Sequence, residues 1–309
     1  MTNGRLENRP LPSVSFLIPV HNCVELTRRC LASLEASLQS GLRYEIIVVD
    51  DCSTDGTREY LESLDHGRYK VLYNKRKGNY AANNNRAAAV AKGEVLVLLN
   101  NDIYFRPGWL EPMLELLKAH PDVGGVGNIH IHPEDGLLDH AGVAFDLSGK
   151  PFQARKGRKT APPFLFTERS AASTACFAIT RRRFLGVGGF DEGYINGSED
   201  IDLCIRLRLN GYRILIANLS QIYHLISSTE GRFDHEEANQ LRLLRKWQHT
   251  TEGWGRDEWA HAYLQRYGNQ PWRMRPLLAA RAVLKVSQDM LRNAFTRNSR
   301  NSRSYAEVE

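Results

Sequence analysis

The chain has no long apolar run. Nowhere in its 309 residues do about 20 consecutive apolar side chains occur, the length that a bilayer-spanning helix needs, so no membrane span is expected. It has no CxxC or CxxH pair either. Its five cysteines, Cys23, Cys30, Cys52, Cys176 and Cys204, are odd in number and scattered. That argues against a zinc site and a disulfide scaffold, and fits a reducing cytosol. The opening residues, MTNGRLENRPLPS, are polar and lack the apolar segment of a signal peptide. No internal repeat is present, and no aromatic–basic module of the kind that binds nucleic acid, so nucleic acid is not an expected partner. An acidic excess is missing too: 41 Lys and Arg against 35 Asp and Glu leave a net charge of +6. The surplus collects at Lys75–Lys77, Arg155–Lys159, Arg181–Arg183 and residues 273–303. Such clusters could meet phosphates or acidic lipids, and solvated surface explains any one of them equally well.

What is present is an alternation of two patterns. SVSFLIPV, YEIIVVDD, YKVLYN and EVLVLLNND read as strands. VELTRRCLASLEASL, STDGTREYLESL, NYAANNNRAAAVAKG (closed by Gly93) and PGWLEPMLELLKAH (Pro107 near its start) read as helices. Near-continuous Val/Ile/Leu strands alternating with helices predict an α/β fold, a mostly parallel Rossmann-like central sheet with helices on both faces. Ligands of such sheets bind beyond the carboxyl ends of the strands. Those ends are Pro19–Asn22, Asp50–Asp51, Asn74–Lys77 and Asn100–Asp102. A turn explains any one of them; polar residues at all of them point to a shared crevice. Residues 123–180 read as short strands and turns with a basic loop, RKGRKTAPPF. A helix is expected from about Glu199 to Asn210, and mainly helix after His224. The expected organisation is a flexible start (1–12), a main domain (13–228, with halves 13–122 and 123–228), a helical C-terminal extension (229–296) and a disordered tail (297–309).

Six motifs stand in order between about Val14 and His224: IPVHN, VVDDCSTDGT, GNYAANNNRA, LLNND, GGFDEGYINGSEDIDLCIRL and YH. Each alone is weak. In this order and spacing they resemble family 2 glycosyltransferases of the GT-A fold, and more particularly bacterial polysaccharide-assembly enzymes, rhamnosyltransferases included. The resemblance implies an inverting, metal-dependent transfer from a nucleotide sugar. It places Asp102, the last residue of the acidic triplet, and His224 on a divalent metal, Mn²⁺ or Mg²⁺, which hard oxygen ligands suit. Only one carboxylate remains in the triplet; Asn100 and Asn101 would position the nucleotide. Asp51 would accept the N3–H of a uracil or thymine ring, as an ionised carboxylate can. Pro19, His21 and Asn22 resemble the base-and-ribose platform, and Asn84 occupies the amide position of its motif. Asp200 matches the base that takes the acceptor's proton, and Glu199 its acceptor-binding partner, with Ser198 as helix N-cap. Asp202 is expected to point elsewhere. The glycines of VGGFDEGYINGS would let backbone pass close to the donor sugar. The plain alternatives are an Asx-turn at Asp102, a structural His224, an N-cap at Asp51 (or Ser53 or Thr54) and carboxylates complementing a helix dipole at Glu199 and Asp200.

The expected donor is a UDP- or dTDP-sugar. The expected acceptor is a saccharide or lipid-linked saccharide of cell-surface polysaccharide synthesis, handled in the cytoplasm or at the inner face of the membrane. A non-catalytic nucleotide-sugar-binding protein on the same scaffold is the main alternative. A sugar nucleotidyltransferase would carry a Gly-rich, Arg-containing loop after the first strand, and IPVHNCVEL lacks one. His130 and His132 share one side of a strand, with Asp135, Asp139 and His140 nearby. Their spacing fits no metal pattern and reads as acceptor-side surface. Trp247, Trp254, Trp259 and Trp272 read as helix packing. In the C-terminal region Leu277, Leu284 and Leu291 recur every seventh residue, widened by Val283, Met290 and Phe295 and flanked by Arg281, Lys285 and Arg292. That stripe suits a basic helix lying on an anionic membrane, and equally docking on the main domain or an oligomer contact.

Overall fold

Strands that bury both faces need helices above and below them, and the chain supplies both. The computed structural model describes residues 12–225, 234–268 and 271–288. Strands β1 (Val14–Val20), β2 (Tyr44–Asp50), β3 (Tyr69–Tyr73) and β4 (Val95–Leu99) alternate with helices α1 (Val24–Ser37), α2 (Thr57–Glu62) and α3 (Tyr80–Val90). After β4 come β5 (Ile103–Phe105), α4 (Glu111–Ala119), β6 (Val123–Ile131), β7 (Leu138–His140), β8 (Val143–Phe145), β9 (Pro151–Gln153), β10 (Phe166–Arg169) and β11 (Cys176–Thr180). Helices α5 (Arg181–Gly186) and α6 (Glu199–Leu209), the long strand β12 (Arg213–His224) and α7 (Glu236–Tyr267) follow. Residues 276–288 are helical. Residues 1–11 of the expected flexible start, the expected tail 297–309, and Met290, Leu291, Arg292 and Phe295 of the heptad stripe lie outside the described residues.

The central sheet has ten strands in the order β10-β12-β6-β11-β4-β1-β2-β3, with β5 on β12 and β7 on β6. Strands β1 to β4 are parallel. Antiparallel β11 lies between β4 and β6, so β6 and its parallel partner β12 run in the direction of β1–β4. All of these parallel strands therefore end at one edge. On one face α1, α2 and α4 bury Cys30, Leu31, Leu34, Leu61, Met113 and Leu114 against Phe16, Ile18, Ile46 and Val97. On the other, α3, α5 and α6 bury Ala87, Ala88, Phe184, Leu203 and Leu207 against Leu17, Ile47, Leu96 and Leu98. Among the described residues no helix is long and apolar enough to cross a membrane.

Two local expectations are corrected. The Ala-rich helix ends at Val90 and its C-cap is Ala91, not Gly93. Gly93 serves a close approach instead: a Cβ there would lie 2.5 Å from the backbone nitrogen of Ser15. Helix α4 begins at Glu111, with Pro112 in its first turn, and Pro107–Gly108 forms the turn before it.

Glycines inside strand β6 make room for a ring. A Cβ on Gly125 would lie 2.1 Å from Cζ of the fully buried Phe177 on β11. Gly125→Ala should therefore overpack the sheet and cost about 1–3 kcal/mol, read as a lower urea midpoint with an unchanged slope.

Candidate active site

The strand ends that share one edge bring the polar residues together. β1 closes on Asn22 and Cys23 with φ of 56° and 59°, and β2 on Cys52 with φ of 60°. Non-glycine residues pay strain in this left-handed region, and it is held here by bonds between the two loops. His21 Nδ1 lies 2.8 Å from the carbonyl of Asp51, Asn22 N–H donates to Ser53 Oγ at 2.8 Å, and Thr54 N–H donates to Asn22 Oδ1 at 2.8 Å. Asn22 is thus a loop clamp. Asp51 is buried; its Oδ1 accepts from Asn74 Nδ2 at 2.6 Å and Gly78 N–H at 2.7 Å. None of Asp51, Ser53 and Thr54 caps α2: Asp55 accepts from Thr57 N–H at 3.2 Å and its hydroxyl at 2.6 Å.

The Asn-rich motif acts mostly as a support. Asn83 accepts from Asn74 at 2.7 Å, and Asn74 accepts from Arg86. Asn84 is fully buried, and its amide donates back to the Tyr80 carbonyl at 2.9 Å. Asn79 donates to the carbonyls of Glu192 (2.9 Å) and Tyr194 (3.0 Å), and Asn85 to that of Phe190 (3.0 Å). These amides pin the loop leading into α6. The glycines of that loop answer a local need: Gly189 has φ +66°, and a Cβ on it would meet Asn85 Oδ1 at 2.5 Å. No donor-sugar approach is required to explain them.

Glu199 and Asp200 open α6. Glu199 is buried and its Oε2 accepts from Gly197 N–H at 2.6 Å; Asp200 is half-buried. Ser198 stands at the N-cap position but its side chain makes no capping bond, and its φ is 70°. The structure gives Asp202 a definite role. It is fully buried, pairs with Arg206 at 2.7 Å, and accepts from Lys246 Nζ and Trp247 Nε1 of α7, each at 2.7 Å. Asn239 of α7 grips Ile195 by both its N–H (3.0 Å) and its carbonyl (2.8 Å). Arg242 and Lys246 meet Asp191 at 3.0 and 2.9 Å. Trp247 and Trp254, partly buried, pack against the cluster of Phe145 and Tyr194, as expected, whereas Trp272, read as helix packing too, is exposed.

Asp102 and His224 meet through strand pairing. β5 pairs antiparallel with β12, His224 opposite Ile103, and Leu225 N–H donates to the Asp102 carbonyl at 2.9 Å. Both side chains are buried, and His224 Nε2 is 3.3 Å from Asp102 Oδ1. The distance suits an ion pair, but the alignment is not that of a hydrogen bond: Asp102 Oδ1 and both His224 nitrogens lack a hydrogen-bond partner. Asn101 donates to Thr27 at 2.9 Å, and Asn100 contributes its backbone to Ala175 and Cys30. Pro19 lies half-buried at the end of β1.

Of the residues read as acceptor-side surface, His130, Asp139 and His140 lie in this centre instead, while His132 and the exposed Asp135 pair with each other. Pairing of β6 with β12 and β7 sets His130 beside Ile222 and His140. His130, Asp139 and His224 each offer a ligand atom within 4.8 Å of the others. The His130 ring stands at 90° to His224 with centroids 5.2 Å apart, fully buried, with no partner at either nitrogen. Burial first, then His140 and His224, holds its pKa well below the usual histidine value. His140 is satisfied: Gln153 lies 2.6 Å from Nδ1, and Nε2 accepts from Gly142 and Ser173 N–H. Its pKa falls to about 4, chiefly through burial. A buried polar atom left unpaired costs about 1–3 kcal/mol. Several such atoms converging, nitrogens beside a carboxylate oxygen, form a donor set that fits a divalent cation.

The family model described as Glycosyl transferase family 2 matches residues 15–186, and one described as N-terminal domain of galactosyltransferase matches residues 164–227. The uncharacterized protein y4gI of Sinorhizobium fredii is 32% identical over 81% of this chain and 28% of its own length. The O-antigen biosynthesis protein RfbC of Myxococcus xanthus is 32% identical over 70% of this chain and 17% of its own length. The chain thus spans well under two thirds of the length of these relatives. A crystal structure of GalNAc-T7 with UDP, GalNAc and Mn²⁺ superimposes with a TM-score of 0.64 over 79% of this chain and 50% of that one, at 21% identity. That likeness identifies the fold as GT-A.

Asp191 offers a pH test of the α7 contacts. Burial opposes its charge, but Lys246, the Gly193 N–H and Arg242 outweigh that and bring its carboxyl down to about 2. A folded pKa below the unfolded value of about 3.9 means a contribution fully present above pH 4 and lost as pH falls toward 2. In acid titrations followed by circular dichroism, Asp191→Asn should lower stability at neutral pH and flatten the loss in that window.

Proposed function

The chain belongs to glycosyltransferase family 2, and on that footing we propose that it moves a sugar from a UDP- or dTDP-sugar to a hydroxyl of a saccharide or lipid-linked saccharide, with inversion. The observation that carries this reading is the convergence of Asp102 and His224 at the common strand edge with unpaired polar atoms facing each other. These two residues would hold a divalent cation. Bound there, the cation supplies positive charge against the departing diphosphate. An imidazole donor favours Mn²⁺ over Mg²⁺, which prefers oxygen and water. UDP and Mn²⁺ accompany GalNAc-T7 in its crystal structure, and the name of RfbC motivates the assignment to polysaccharide synthesis.

The remaining roles follow from chemistry. Asp51, its Oδ1 fixed by Asn74 and Gly78, presents Oδ2 to the N3–H of uracil or thymine. Pro19 and His21 wall the base and ribose, and Asn100 and Asn101 the diphosphate side. Asp200 takes the proton of the acceptor hydroxyl as it attacks the anomeric carbon from the face opposite the diphosphate. Glu199, held by Gly197, hydrogen-bonds the acceptor.

The segment 271–288 is assigned to contact with an anionic bilayer. Trp272 is 78% exposed, Leu277 83% and Leu284 60%. Arg273, Arg275, Arg281 and Lys285 accompany them, with no Asp or Glu in the segment. Each such cation near an anionic surface contributes about 1 kcal/mol, and the apolar side chains enter the headgroup boundary. A lipid-linked acceptor would meet the enzyme there.

Two outcomes are expected. In thermal melts against UDP-, dTDP-, GDP- and CMP-sugars with and without Mn²⁺, a uridine or thymidine donor should raise the melting temperature only with metal. Asp102→Ala should abolish that shift, whereas Asp200→Ala should keep it and lose about 10²–10⁴-fold in turnover; a full shift in Asp102→Ala defeats the metal assignment. In vesicle co-sedimentation, the protein should bind phosphatidylglycerol-containing vesicles and not pure phosphatidylcholine, with loss on adding salt or in the double variant Leu277→Glu, Leu284→Glu. Unchanged sedimentation of that variant removes the bilayer assignment.

A further inference from the structure

Two carboxylates bracket the imidazole of His224. Nε2 lies 3.3 Å from Asp102 Oδ1, and Nδ1 lies 3.9 Å from Asp139 Oδ2. Neither nitrogen makes a hydrogen bond, so the ring stands between two acceptors, aligned with neither. A neutral imidazole has one N–H and one lone pair. If the lone pair at Nε2 faces a cation shared with Asp102, the proton sits on Nδ1, and Asp139 is the acceptor on that side.

Asp139 is built for such a task. Its other oxygen pairs with Lys156 Nζ at 2.9 Å, which leaves Oδ2 for His224. It belongs to β7, whose pairing with β6 sets the neighbouring His140 opposite His130. Its side chain is only 14% exposed, whereas that of Lys156 is 60% exposed, so the carboxylate is lodged in the site and its countercharge stands at the rim. The His130 ring, edge-on to His224, closes a further side and limits rotation of the imidazole.

We propose that Asp139 is a positioning residue for the metal site: with a cation bound between Asp102 and His224 Nε2, Asp139, whose Oδ2 lies 3.9 Å from Nδ1, would take the Nδ1–H and so aim the Nε2 lone pair at that cation. This rests on the metal reading above and deepens it. The LLNND triplet has kept one carboxylate where Asn100 and Asn101 offer none, and a carboxylate behind the histidine strengthens the ligand that remains. Outer carboxylates of this kind raise ligand basicity and typically contribute 10–100-fold to metal affinity. Inner-sphere binding by Asp139 and His130, whose atoms lie within 4.8 Å of one another and of His224, is the competing arrangement.

The test is a Mn²⁺ titration of the whole chain followed by electron paramagnetic resonance, alone and with UDP, with electron spin-echo envelope modulation to count coordinated imidazole nitrogens. Asp139→Ala should weaken Mn²⁺ binding about 10–100-fold, Asp139→Asn, which keeps an acceptor oxygen, should weaken it less, and Lys156→Met less again. At saturating Mn²⁺, wild type and Asp139→Ala should both show one nitrogen. Unchanged affinity in Asp139→Ala, with Asp102→Asn still defective, overturns the proposal and leaves the metal site standing. Two nitrogens in the wild type, reduced to one by His130→Leu, overturn it in favour of inner-sphere ligation. Normal Mn²⁺ binding by Asp102→Asn and His224→Ala, or no uptake by the wild type under either condition, overturns the metal site itself and the positioning role with it.

Discussion

Everything at the site depends on strand direction. A parallel strand delivers its carboxyl end to one edge of the sheet, and β1, β2, β3 and β4 do so in succession. One antiparallel strand, β11, then lets β6 and β12 rejoin that direction. Had β6 paired directly with β4 in the opposite sense, His130 and His224 would sit at the far edge from Asp102. The hydrogen-bond ladder thus does what no single side chain does: it carries residues far apart in sequence to one place.

The second half of the site is held differently. The loop before α6 has two non-glycine residues in the left-handed region, Asn196 and Ser198, and no regular structure to lean on. Its shape comes from amides on either side. Asn79 and Asn85 of the α3 motif take its carbonyls from below, and Asn239 takes both polar groups of Ile195 from above. Backbone that strains locally survives when its surroundings over-determine it, and here the surroundings are two helices from opposite ends of the chain.

Much of this architecture was legible in the sequence. Apolar strands alternating with helices gave the order of β1 to β4 and their polar ends, because period and composition are local properties. Caps were less legible. Ser198 has the right side chain for an N-cap but the wrong backbone angle, and at α2, where Ser53 or Thr54 stood equally well on residue type, the N-cap position is Gly56, with Asp55 just before it accepting from Thr57. Asn84 and Asn83 differ by one position, yet a helix turns them to different neighbours, and the motif alone does not say which one reaches Asn74. His130 and Asp139 were illegible for a deeper reason. Their approach to His224 is a matter of register between β6, β7 and β12, and no spacing along the chain encodes which strands become neighbours. A carboxylate–histidine pair closing a short strand just after HIH was the available signal, and it is weak.

Asp202 ties α6 to α7 through a charge that water does not reach. Its countercharges and donors come from Arg206 of its own helix and from Lys246 and Trp247 of α7, beyond strand β12. A boundary drawn near residue 228 therefore divides the chain on paper while leaving a buried carboxylate on one side and its partners Lys246 and Trp247 on the other. For anyone assembling chimaeras from related transferases, the exchangeable unit is not the sheet with its strand-end loops. It is the sheet together with the helix that follows, since a foreign helix lacking a cation and an indole at those two places would strand an ionised group in the core of its host.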